Sequence, residues 1–135
     1  MRRSSELKMA PLFDTRSLPE QPDAVAPDGS NVRILLALQG GSMAHFELPP
    51  GDTSTAVAHR TVEEIWYILG GAGEMWRKQG ELEEIVTLAS GTSLTLPQGT
   101  AFQFRSIGSV PLTAVAITMP PWPGDGEAYE VKGYW

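Results

Sequence analysis

A chain of 135 residues with no cysteine and a formal charge of −6 at neutral pH is long enough for one domain with a buried core, and it excludes disulfide frameworks, thiolate metal sites and cysteine nucleophiles. The acidic balance is the opposite of the clustered Lys and Arg that a phosphate footprint needs, so no nucleic acid is expected as a partner. No run approaches the ~20 apolar residues of a membrane helix, and no apolar segment follows the charged start Met1-Arg2-Arg3, so a cytoplasmic protein without membrane contact is expected.

In chain order, residues 1–30 hold Pro11, Pro19, Pro22 and Pro27 among small and charged residues and show neither the period of a strand nor that of a helix. They read as an extended N-terminal arm. Asp28-Gly29 supplies a turn before the apolar run Val32 to Leu38, the first expected strand. Short β-rich runs then alternate with Gly or Pro punctuation: Met43 to Leu48, Glu64 to Leu69, Gly73 to Arg77, Ile85 to Leu88, Leu94 to Leu96, Phe102 to Arg105 and Leu112 to Met119. Many short strands at this spacing predict an all-β sandwich or barrel. The stretch from Gln79 to Leu88 permits a short helix, but its Glu81, Glu83 and Glu84 fit an exposed hairpin equally well. Proline rules out regular structure from Pro120 to Gly126, so the core domain is placed at 31–119. Tyr129, Tyr134 and Trp135 make 120–135 a tail packed on the barrel or on a partner.

The segment from Gly51 to Gly71 resembles the first motif of the cupin superfamily, in which a Gly is followed at fixed spacing by His-x-His, Glu and a second Gly. Gly51, His59, Glu64 and Gly71 keep that spacing, and Val57 stands where the first His is expected. The second cupin motif is met by Gly91, Pro97 and Gly99, with Phe102 at its His position and Ser106 at its Asn position. The resemblance implies a single-domain double-stranded β-helix, the cupin jelly-roll barrel. It also implies four metal-ligand positions, here occupied by Val57, His59, Glu64 and Phe102. Only two of these residue types bind a metal, and the chain's two histidines, His45 and His59, exclude a three-histidine site. No resident cofactor is therefore expected, with a divalent transition metal as the alternative.

Strand alternation places Glu64, Trp66 and Ile68 on one face, and Phe102 and Phe104 on one face, which by resemblance is the inward one. A carboxylate inside a barrel needs a partner, and His59 is the nearest that the motif offers. His59 and Glu64 are thus the expected polar and catalytic pair of a pocket for a small organic ligand, with Trp66, Phe102, Phe104 and Arg60 as ligand-binding residues. In the alternative, a metal-dependent oxygenase or isomerase, His45 turns inward and completes a set of His45, His59 and Glu64. The same alternation puts His45 with Met43 and Glu47, opposite the more apolar Ala44, Phe46 and Leu48, which favours an outward His45. The arm and the aromatic tail further predict a homodimer.

Overall fold

A computed structural model describes residues 11–135. Eleven strands follow one another: β1 (Ala24–Val25), β2 (Asn31–Leu38), β3 (Gly41–Leu48), β4 (Val57–His59), β5 (Glu63–Gly70), β6 (Ala72–Gln79), β7 (Leu82–Ala89), β8 (Ser93–Leu96), β9 (Ala101–Ser106), β10 (Leu112–Met119) and β11 (Ala128–Glu130). Among the described residues there is no helix. The ambiguous stretch after Gln79 is a hairpin, β6 pairing β7 in continuous register from Ala72↔Ala89 to Gln79↔Leu82. A six-stranded sheet runs β1-β2-β3-β10-β5-β8 and a five-stranded one β11-β4-β9-β6-β7. All pairings are antiparallel.

The two sheets close on each other because their inner faces are apolar. β5 alternates strictly, with Glu64, Trp66 and Ile68 buried and Glu63, Ile65, Tyr67 and Leu69 exposed. β10 does the same with Leu112, Ala114, Ala116 and Thr118. The small Ala114 and Ala116 leave room for Trp66, which stacks on Phe46 at 5.3 Å and meets Phe104 edge-on at 5.0 Å. Such pairs hold by both apolar area and ring electrostatics.

Three strands were not foreseen. β1, β4 and β11 are two or three residues long, too short to show a period. Through them the segments flanking the barrel are tied down. In the expected arm, residues 1–10 lie outside the described residues. From Pro19 onward the segment is fastened to its own sheet: Arg33 donates to the carbonyls of Pro19 and Glu20 at 2.8 Å, and the Ile34 amide donates to Asp23 at 2.8 Å. The tail is fastened by β11 on β4 and by the amides of Tyr134 and Trp135, which donate to Gln103 Oε1 at 2.9 and 3.0 Å. Gln103 points away from the core as alternation requires, and the tail is what buries it.

The motif glycines Gly51, Gly71, Gly91 and Gly99 all have positive φ, so the spacing that carries the family resemblance is a spacing of left-handed turns. Gly71 is the tightest. Its φ is 81°, and a Cβ there would stand 2.4 Å from the Pro111 carbonyl oxygen and 2.8 Å from Leu112 Cα. Gly80 has φ 56° but open space around it. Gly80→Ala is therefore expected to cost about 1 kcal/mol, and Gly71→Ala about 2 kcal/mol more, because backbone must move as well. Urea unfolding of the two variants decides this, and equal midpoints would refute it.

Candidate functional site

Val57, at the end of the loop that follows Gly51, pairs directly with Phe102 of β9. This pairing sets β4 across the interior, and His59, two residues on, projects over the ring of Phe102 at a centroid distance of 5.3 Å. From the opposite sheet β5 brings Glu64, held between Leu96 on one side and Thr118 on the other. The two meet: His59 Nδ1 lies 3.1 Å from Glu64 Oε1, with side chains 7% and 3% exposed. The Thr118 hydroxyl donates to Glu64 Oε2 at 3.2 Å.

Burial dominates the electrostatics of this pair. It pushes the Glu64 carboxyl up from 4.5 to about 7, against the Thr118 hydrogen bond and helped by the charge of Asp28. Burial likewise pushes His59 down from 6.5 to about 4, opposed by the charge of Glu127. Both shifts favour the neutral side chains, so in the acid range one proton sits between the two groups, on the carboxyl.

The pair forms part of the wall of a cavity of about 400 Å³. Trp66, Phe102, Phe46 and Val57 line its inner end, and residues of β1, β2 and β3 one flank. The mouth is bounded by the tail, where the Trp122 amide donates to Ser42 Oγ at 2.9 Å and the Trp122 ring meets His59 edge-on at 5.2 Å. Asp28 also lines the cavity. Its Oδ1 accepts from the Ser30 amide and hydroxyl at 2.9 and 2.6 Å, and burial raises its pKa despite those bonds. In the sequence Asp28 reads as a turn residue beside Gly29. It is that too, and nothing in the turn signal distinguishes a carboxylate facing solvent from one facing a cavity.

Three of the expected residues lie elsewhere. Phe104 stands behind Trp66 as core and does not line the cavity. Arg60 is exposed outside it, donating to the Gly126 carbonyl at 2.9 Å and lying 4.6 Å from the centre of the Tyr129 ring. It anchors the tail, because residue 60 follows the inward His59 and so points away. His45 is buried on the outer side of the six-stranded sheet, paired in register with Arg33 and Val115. Burial lowers its pKa, followed by the charge of Arg33.

The set of His45, His59 and Glu64 is therefore not assembled. Among the described residues no group of three His, Cys, Asp or Glu side chains could hold a metal ion. His59 and Glu64 offer two donors turned toward one another. This does not fit a resident transition metal, given that catalytic zinc, for one, takes three protein ligands.

The opposed shifts predict how stability depends on pH. A raised Glu64 contributes stability at low pH that is lost as pH rises from about 4.5 through 7. A depressed His59 contributes stability at high pH that is lost as pH falls from 6.5 through about 4. The two nearly cancel between pH 4.5 and 6.5. Across that window Glu64→Gln should gain stability relative to the parent as pH rises, and His59→Gln should lose it, each with a slope approaching about 1.4 kcal/mol per pH unit. Parallel curves for parent and variants in chemical unfolding would show that the pair does not titrate as described.

Residues 44–118 match the family model described as Cupin domain. The protein named "Uncharacterized protein MJ1618" of Methanocaldococcus jannaschii is 32% identical over 103 residues, covering 73% of this chain and 79% of that one. Among solved structures, an uncharacterized conserved protein with a double-stranded β-helix domain from Klebsiella pneumoniae superposes with a TM-score of 0.64 at 14% identity, over 90% of this chain and 97% of that one. Oxalate decarboxylase of Bacillus subtilis, studied for its Mn(II) centres, superposes with a TM-score of 0.68 at 15% identity, over 83% of this chain and 30% of that one. The chain thus spans about a third of the length of several longer solved structures that it matches. With the matched motifs, the two facing sheets and the family match over more than half its length, the chain belongs to the cupin family and has the double-stranded β-helix fold.

Proposed function

We propose that this cupin domain binds a small organic ligand in its interior cavity, with His59 and Glu64 as the polar pair that orients it. The observation that carries this reading is the position of the pair on the wall of a cavity whose other surfaces are largely apolar. A hollow of about 400 Å³ is within the size range of small-molecule sites, and an apolar pocket with a few convergent polar groups of perturbed pKa is what such sites look like. Trp66 supports it further: at 1% exposure its Nε1 makes no hydrogen bond of normal geometry, though it lies close enough to Glu64 to lower that carboxyl's pKa, and a donor so placed at a cavity wall suits an acceptor atom on a ligand.

The pair also has the chemistry for proton transfer. A carboxyl raised to about 7 beside a neutral imidazole can give or take a proton near neutral pH. Turnover on this basis would be an isomerisation, elimination or cyclisation of the bound molecule. A metal-dependent reaction has less support, because the third ligand it would need, His45, lies on the outer side of the sheet.

The probe that tests the pocket is para-bromophenol, an apolar ring with one polar group. Soaked into crystals, it is expected to give bromine anomalous density in the cavity, and in solution its binding should vanish in Ala44→Trp, which fills the hollow. Glu64→Gln should weaken it about tenfold, or about 1.4 kcal/mol. Density confined to the surface, or unchanged affinity in Ala44→Trp, would sink the proposal.

Self-association is part of the same proposal. The outer face of the six-stranded sheet exposes Met43, Ile65, Tyr67 and Leu69, each between 39% and 48%, a contiguous apolar patch of the kind that marks interfaces. Light scattering at micromolar concentration is expected to give twice the chain mass of 14.6 kDa, and Tyr67→Lys to halve it. A monomer in the parent protein would rule this out.

A further inference from the structure

Deepening that reading, and resting on it, we infer from the charge of the cavity lining that the ligand is a small cationic amine with an apolar, preferably aromatic, body and one neutral hydrogen-bond acceptor. Asp28, 5% exposed, and Glu64, 4% exposed, stand in the wall, and Asp125 stands at the rim. Among the described residues that line the cavity, none is Lys or Arg. Arg33 and Arg60, each adjacent in sequence to lining residues, are both turned away, Arg33 onto the Pro19 and Glu20 carbonyls and Glu47, and Arg60 onto Tyr129 and the Gly126 carbonyl.

The sign of this lining is decisive because Asp28 and Glu64 are themselves buried. A carboxylate or phosphate ligand would enter a low-dielectric space holding two acidic groups and no counter-ion, and either the ligand or the wall would have to take up a proton first. An ammonium group meets the reverse situation. It gives each buried carboxyl the opposite charge that favours ionisation, so desolvation of both partners is offset by their attraction.

The walls add a second attraction. Phe46 and Trp66 are stacked, with Phe102 at 6.2 Å from the Trp66 centroid and Trp122 at the mouth. Aromatic faces attract cations and take up the apolar body. The acceptor atom is assigned by Trp66 Nε1, a buried donor that lies near Glu64 yet makes no hydrogen bond of normal geometry. The net charge of −6 on the whole chain draws cations toward the mouth and repels anions, which affects the rate of encounter in the same sense.

Three probes share one body and differ in charge: phenylethanolamine, phenylethanediol and mandelate. Titration calorimetry of the full chain at neutral pH should find the amine bound about tenfold or more tightly than the diol, with no detectable binding of mandelate. Glu64→Gln and Asp28→Asn should each cut the preference for the amine over the diol roughly tenfold. Either variant alone suffices should the other fail to fold. Mandelate binding as tightly as the amine would show that the sign is wrong, and amine affinity unchanged in both variants would place its binding outside the cavity. Equal affinity for amine and diol would overturn the inference while leaving the pocket in place. No binding of any of the three would overturn both.

Discussion

A carboxyl group enclosed by aromatic rings has few stable states: it keeps its proton, shares it, or finds a cation. Glu64 is in that position, between the two sheets, with Thr118 on one oxygen and His59 on the other. The pairing fixes more than a side chain. Because Glu64 belongs to the six-stranded sheet and His59 to the five-stranded one, their contact is a polar bridge across an otherwise apolar interior. Each residue is shifted toward its neutral form, and each shift is produced by the same loss of water.

Much of this was legible in the residues. Gly51, Gly71, Gly91 and Gly99 mark left-handed turns, and turns of that kind admit few residues other than glycine, so their spacing is readable in the sequence. Glu64, Trp66 and Phe102 were placed inward by strand alternation and motif, and the strict burial pattern of β5 agrees. His45 was assigned to the outer face on the same grounds, and the inward alternative failed because one residue of register separates it from Phe46.

What stayed hidden has physical reasons. β1, β4 and β11 are shorter than any period, so only tertiary pairing reveals them. Asp28 carries a turn signal whose strength masks its second role. Phe104 and Phe102 share a face and differ only in depth, which alternation does not encode: one packs behind Trp66 and the other reaches the hollow. Arg60 illustrates the converse, since a residue adjacent to a site in sequence is turned from it by the same alternation that turns its neighbour in.

The mouth of the cavity is made by the segments that flank the barrel on either side. β1 and the segment up to Asp28 form one lip, and Pro121 to Ala128 the other, with Trp122 resting on His59 and hydrogen-bonded to Ser42. The barrel strands thus supply the chemistry while the flanking segments supply the aperture. These are the parts of the fold with the fewest neighbours to satisfy, and length or sequence can change there without disturbing the turns or the interior bridge. In the proposed reading, the girth of the admitted molecule is set by these flanking segments and not by the strands of the barrel.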